Sequence, residues 1–252
     1  MPMTPDTLRE AAAILADARR HGATLDALPA SCRPSTLEDA HAIQVATAAH
    51  LGDAIVGWKV GATPDGRLAR GAILRSRLLA SGARLAAKVV PLLGVECEIA
   101  FRFDTDLAPR TRPYTYDEVA GAVTALPGIE VVDSRFRGYP NAPALDRIAD
   151  CMSNGAFVTG APRADWRSVD LSKLDAELTI DGVTIVHRAG GHPTKDPLLP
   201  AVALVNDLRT GEGVGAGQIV TTGTYTGLNF AAPGQMVVAA FDGFGSASVE
   251  FS

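Results

Sequence analysis

The chain has 252 residues and a formal net charge of −5, with 47% hydrophobic and 20% charged residues. That composition folds around a core, and a mildly acidic chain without a Lys/Arg cluster gives nucleic acid no footing. No apolar run reaches the roughly 18 residues of a membrane span. The opening MPMTPDTLRE lacks the basic-then-apolar order of a secretory leader, and Cys32, Cys97 and Cys151 are too scattered for a disulfide framework, so a cytoplasmic chain is expected.

In chain order, Thr4 followed by Pro5 marks a helix start through LREAAAILADARR, with Gly22 as the stop. Thr36 and Asp39 approximate a second capping box, and Leu37, Ala40, Ile43 and Thr47 recur at helical spacing. Residues 1–50 are therefore expected as a helical region packed on a β-rich catalytic domain, 51–252. VGWKVGA reads as a strand, ATPDGRLARG as a loop, and LLASGARLAA as a short element. VECEIAFRF alternates with period two. Thr115 to Glu118 forms a capping box opening a helix DEVAGAVTAL, and GIEVVDSRF is a strand again. A small helix is expected near Ala144 to Met152, before a strand AFVTG. LDAELTI and VTIVHR flank the favoured hairpin turn Asp181-Gly182. Asp196-Pro197 starts a helix that ends near Gly211. QIVTTG, QMVVAAF and SASVEF close the chain as strands, the last two paired. The class expected is α+β with a large β core and peripheral helices.

Glu96 and Glu98 lie two apart on a strand, so they share a face. On a half-exposed sheet both simply meet solvent. On a buried face two like charges need compensation, and a hard cation such as magnesium or manganese supplies it. Glu130, also an acid in an apolar strand, is the best third ligand, with Asp133 as the alternative on the opposite face. Lys59 either snorkels to the surface or is a buried ammonium for a carboxylate or enolate. Arg135 either pairs with a structural acid or binds substrate. TTGTYTGLNFAAPG offers Thr222, Thr224 and Thr226 to a small anion, or forms a tight structural loop. His192 is a loop histidine with the chemistry of a base. There is no GxGxxG fingerprint, phosphate loop, GxSxG elbow or paired-histidine spacing.

GWKVGAT, GVECEIAFRF, LPGIEVVDSRF, MSNGAFVTG and IVTTGTYTGLNFAAPG, in that order, resemble the 2-keto-4-pentenoate hydratase family of the fumarylacetoacetate hydrolase superfamily. The resemblance covers most of the chain. It implies a mixed, roll-like β core, a homo-oligomer, a divalent metal on Glu96, Glu98 and Glu130, and an active-site Lys59. It also implies a small 2-oxo or 2-hydroxydienoic acid as substrate. One departure stands out. Hydratases of this kind often carry an aspartate between the lysine loop and the two-acid strand, whereas RGAILRSRLLASGARL has no acid. Arg75, Ser76 and Arg77 occupy the expected place, and Asp65 is the substitute nearest in sequence.

Hydration of a 2-hydroxy-2,4-dienoate is the leading expectation, with Mg2+ or Mn2+ polarising the 2-oxo tautomer. Lys59 orients the carboxylate or enolate, Asp65 and His192 are the proton-transfer candidates, and Arg135 and Thr224 the further substrate contacts. Decarboxylation of a 2-oxo-3-enedioate and C–C hydrolysis of a diketo acid use the same enolate chemistry. A small-acid binding protein without catalysis is the reading from a different class.

Overall fold

A computed structural model describes residues 3–63 and 65–252. The helices are α1 (Pro5–His21), α2 (Leu37–Leu51), α3 (Tyr116–Gly121), α4 (Ala144–Ala149) and α5 (Leu198–Leu208). The strands are β1 (Ile55–Ala62), β2 (Leu68–Leu74), β3 (Leu78–Ala80), β4 (Ala83–Leu85), β5 (Gly94–Phe103), β6 (Val123–Val132), β7 (Asn154–Thr159), β8 (Asp175–Ile180), β9 (Val183–Ala189), β10 (Ile219–Thr224), β11 (Asn229–Phe230), β12 (Met236–Phe241) and β13 (Gly245–Phe251). They form two mixed sheets. The larger runs β2-β1-β10-β5-β6-β7-β3, with β11 also on β5, and the smaller runs β4-β13-β12-β8-β9.

Three of the expected helix starts are present as reciprocal capping boxes, Thr4 with Thr7, Thr36 with Asp39, and Thr115 with Glu118, while the N-cap residues of α4 and α5 make no side-chain cap bond. Gly22 and Gly52 end α1 and α2 in the left-handed conformation. The Asp181-Gly182 turn has positive φ at both residues, 51° and 75°, as a two-residue hairpin requires.

Three expectations need correction. The helix expected to run to Leu126 stops at Gly121, and Val123 to Val132 form β6, buried at every position. Two β-branched residues, Val123 and Thr124, and unbroken pairing with β5 outweigh a helical continuation. The strand expected through Phe136 ends at Val132. Part of the polar ATPDGRLARG is strand, because Leu68 to Gly71 pair with Lys59 to Ala62. Pro64 of that segment lies outside the described residues.

β5 explains how the sheets divide the work. Val95, Cys97, Ile99 and Phe101 face the main core, together with β8, β12 and β13 of the smaller sheet. Its other face looks away from that core. On the far side, α1, α2 and α4 share an apolar cluster with Ala69 of β2 and with Phe136. Fully buried Leu15 and Ile43 each supply about 1.5–3 kcal/mol of transfer free energy there. Gln44 of α2 ties this layer down, donating to the Arg70 and Ile148 carbonyls at 2.8 and 2.6 Å and accepting from Ala72 N at 2.7 Å.

Candidate metal centre and active site

Strand register assembles the acids. β5 and β6 run antiparallel without interruption, so Glu96 sits directly opposite Glu130 and Glu98 opposite Gly128. Period two puts Glu96 and Glu98 on the face away from the main core. One oxygen from each of Glu96, Glu98 and Glu130 falls within 4.8 Å of the others. Glu130 is 0% exposed and Glu98 2%.

Lys59 reaches this cluster from β1, with Nζ 2.7 Å from Glu130 Oε1. Asn154 Nδ2 donates to the same oxygen at 3.2 Å. Glu130 Oε2 is buried and has no partner among the described residues. Glu98 is held from β10: Thr221 Oγ1 donates to Oε2, and the Gly223 N–H donates to the same oxygen at 3.2 Å. The β10–β5 register breaks between Thr221 and Thr224. Gly223 adopts φ 127° in that break, a conformation that disfavours side chains, and so turns its amide toward the acid.

The charges do not balance. Three carboxylates face one ammonium in a buried setting. Burial, then the negative charge of Glu130, pushes the Glu96 carboxyl up to about 7, with Lys59 only partly opposing. Burial, then Glu130 and Glu96, holds Glu98 well above the usual carboxylate range. Burial weakens the Lys59 ammonium, but Glu130, Glu96 and Glu98 outweigh it and fix the proton on Nζ. Glu96, Glu98 and Glu130 would hold a divalent cation here, which would offset the excess negative charge. An all-oxygen, carboxylate-rich set suits magnesium or manganese.

A cavity of about 300 Å³ opens beside the cluster, with Lys59 and Glu96 in its wall. Ala62, Thr63 and Ala69 extend the strand side, while Tyr139, Arg147 and Met152 come from the α4 side. β2 contributes apolar Ala69 to this wall, and Arg75, Ser76 and Arg77, where an acid was sought, are not among the residues that line it.

Not every residue singled out in the sequence belongs to this site. Lys59, Glu96, Glu98 and Glu130 come together. Asp65 does not: its carboxylate is exposed on the surface, bonded to Thr63 Oγ1 and to Arg67 Nε at 3.1 Å. Arg135 is buried between Asp133 and Asp150, at 2.7 and 3.0 Å, so its donors are spent on structure. Asp133 itself accepts from Leu92 N and Arg135 and takes no place in the cluster. His192 is buried behind β10. The Thr194 N–H donates to Nδ1 at 3.3 Å, which leaves Nε2 to donate to the Thr222 carbonyl at 3.1 Å. Both ring nitrogens are occupied, and burial holds the imidazole down to about 4, so it is a neutral support for the Thr222–Gly223 segment and not a base. Thr224 lies opposite Glu98, but its Oγ1 accepts from Thr226 N and Gly227 N and so closes a turn. Ser76 is bound to Asp53, and Arg77 lines a different cavity beside Arg19 and Lys88.

Sequence reasoning missed Asn154, Thr221, Tyr139 and Arg147. Asn154 and Thr221 carried a usable signal, being polar residues at buried strand positions. Tyr139 and Arg147 carried none, because only the docking of α4 beside β1 and β2 brings them to the cavity.

No protein-family model matches the chain. The solved 4-oxalocrotonate decarboxylase from Pseudomonas putida G7, complexed with magnesium and adipate, matches over 99% of both chains with a TM-score of 0.87 at 23% identity. The fold is that of the fumarylacetoacetate hydrolase superfamily. The 2-keto-4-pentenoate hydratase of Paraburkholderia phymatum is 30% identical over 253 residues, 96% of each chain, and that of Paraburkholderia xenovorans 29% over 266 residues, 99% of this chain and 96% of its own. The chain belongs to the 2-keto-4-pentenoate hydratase family.

Proposed function

We propose that the protein is a divalent-metal-dependent hydro-lyase that adds water to a small 2-hydroxy-2,4-dienoic acid, giving a 4-hydroxy-2-oxo acid. The observation that carries this reading is the buried excess of three carboxylates over one ammonium, with Glu130 Oε2 left without a partner. Glu96, Glu98 and Glu130 would hold Mg2+ or Mn2+. The bound ion supplies Lewis-acid polarisation of the 2-oxygen and a counter-charge for the enolate.

The chain's own residues then divide the remaining tasks. Lys59 Nζ, which reaches the cluster from β1, donates to the substrate carboxylate or to the developing enolate oxygen. Asn154 and Thr221 fix the orientations of Glu130 and Glu98, and His192 supports the backbone that presents the Gly223 N–H. The apolar stretch of Ala62, Ala69 and Met152 accommodates the hydrocarbon part of the acid and excludes water from it. The helical region 1–50 serves as a buttress, through Gln44 under β2 and Arg19 against Asp150.

A second reading has a specific observation in its favour. β2 offers the cavity no acid for proton transfer to carbon, and loss of carbon dioxide from a 2-oxo-3-enedioate needs none at that place. There the bond to the terminal carboxylate breaks, carbon dioxide leaves, and the electron pair moves through the conjugated chain to the 2-oxygen. The Pseudomonas putida G7 neighbour bears the name of such a decarboxylase.

The two are separated by supplying metal-loaded protein with 2-hydroxypenta-2,4-dienoate in 18O-water and, separately, with 2-oxohex-3-enedioate. Label at the product 4-hydroxyl supports hydration. Carbon dioxide from the diacid without hydration of the dienoate supports decarboxylation. Neither product from protein that binds metal removes both. A cytoplasmic homo-oligomer fits either reading. No helix among the described residues is long and apolar enough to cross a membrane, and β9 leaves Val183 and Ile185 exposed at a sheet edge. Sedimentation measures the oligomer size.

A further inference from the structure

The cavity contains a second cation that neither the metal cluster nor a simple dienoate uses. Arg147, on α4, lines it together with Lys59 and Glu96. Its Nε donates to the Ala142 carbonyl at 3.1 Å, which fixes the guanidinium to the end of the helix. Among the described residues no carboxylate lies within 4.0 Å of it, although most arginines of this chain are paired with an acid. Tyr139 stands in the same wall, and its hydroxyl has no hydrogen-bond partner among the described residues.

The place of Arg147 makes it informative. It stands on α4, whereas Lys59 comes from β1, and Ala69, Ile148 and Met152 supply apolar wall in the same cavity. A guanidinium presents several donors in a fixed plane and matches a carboxylate in bidentate fashion. A dienoate with a plain hydrocarbon tail gives those donors nothing to bind.

We infer that Arg147, assisted by the Tyr139 hydroxyl, is a specificity-determining anchor for a second carboxylate, so that the preferred ligand is a 2-oxo or 2-hydroxydienoic diacid. This rests on the acid site proposed above: one end of the ligand meets the metal and Lys59, and the other meets Arg147. Because the anchored group is held in its ionised form, Arg147 contributes to binding and positioning.

The test is calorimetry on Mg2+-loaded protein with 2-oxohexanedioate and 2-oxohexanoate, which share a six-carbon chain and differ in the terminal carboxylate. Wild type is expected to bind the diacid on the order of 10- to 100-fold more tightly, the range for a charge-assisted hydrogen-bonded pair. Arg147→Met should bring the two ligands within about 3-fold of each other, leaving monoacid and Mg2+ binding unchanged. Arg147→Lys should retain part of the preference. Equal wild-type affinity for both acids, or a diacid preference that survives Arg147→Met, overturns the inference while the metal-site reading stands. Metal-independent binding of both acids, or none, defeats the underlying site instead. Far-ultraviolet circular dichroism of each variant shows that the fold is intact.

Discussion

Two buried charge clusters lie a few residues apart, and only one of them is unbalanced. In the first, Asp133 and Asp150 meet Arg135 and Arg19: Arg135 bridges both acids, and Arg19 Nη2 reaches Asp150 Oδ1 at 2.8 Å. Two negative charges meet two positive ones, and α1 is thereby bound to the sheet. In the second, Glu96, Glu98 and Glu130 meet Lys59 alone. Both are deeply buried, so burial alone does not distinguish structure from chemistry. The difference lies in charge balance, since each cluster keeps one buried polar atom without a partner among the described residues, Arg19 Nε in the first and Glu130 Oε2 in the second. A paired network resists removal of any member, whereas a cluster with excess charge of one sign calls for a counter-ion.

The contrast can be broken most visibly at Asp150. Asp150→Ala leaves Arg19 without its buried carboxylate and Arg135 with Asp133 alone, and a loss of about 3–5 kcal/mol is expected in urea unfolding. A loss below about 1 kcal/mol, the level of an ordinary surface change, would mean that the balanced cluster is not structural. Glu130→Gln should behave in the opposite way. It removes one of three crowded charges, so metal-free stability should change by no more than about 1 kcal/mol while Mg2+ affinity falls by about 100-fold or more.

Lys59→Met sharpens the division within the second cluster. With no ammonium competing for Glu130, metal affinity should hold or rise. Binding of pyruvate to the metal-loaded protein should fall by about 10-fold, the loss of one charge-assisted hydrogen bond. A parallel collapse of metal binding in calorimetry would make Lys59 a part of the metal cradle.

The smallest effect concerns His192. Its folded-state value of about 4 lies below the ordinary value of 6.5. The unfolded chain therefore binds the proton first as pH falls. The stability associated with the neutral ring is present above about pH 6.5 and declines as pH falls toward about 4, by at most about 3 kcal/mol. Comparison of wild type with His192→Gln in denaturant unfolding at pH 7 and pH 4.5 checks it. The variant should show a shallower acid dependence, and an unchanged slope would assign that dependence to other groups.

How much of this was legible in the sequence follows from range. Helix starts were readable because a cap and its partner lie three residues apart, as Thr36 with Asp39 and Thr115 with Glu118. The Asp181-Gly182 hairpin was readable for the same local reason. Glu96 and Glu98 were visible as a strand anomaly, and so was Glu130 as an acid in an apolar strand, with Asp133 left as the alternative until the fold separated them. What failed depended on distant packing. Val123 to Leu126 look helical until β5 pairs with them. Arg135 offers the same chemistry to a substrate or to Asp150, and the choice is made by a fold that brings the two together. His192 read as a free base because nothing near it in sequence shows that β10 occupies Nε2. Arg147 carried no signal because its cavity exists only between α4 and the strands.

The central claim is that the unbalanced acids form a divalent-metal site. Titration of Mg2+ and Mn2+ into metal-free protein by calorimetry, beside Glu98→Gln, tests it most directly. The account predicts one saturable site per chain, lost or weakened by about 100-fold in a variant that remains folded. A folded wild type that takes up no metal, even with oxalate or pyruvate present, or a Glu98→Gln variant that binds as well as wild type, would contradict it.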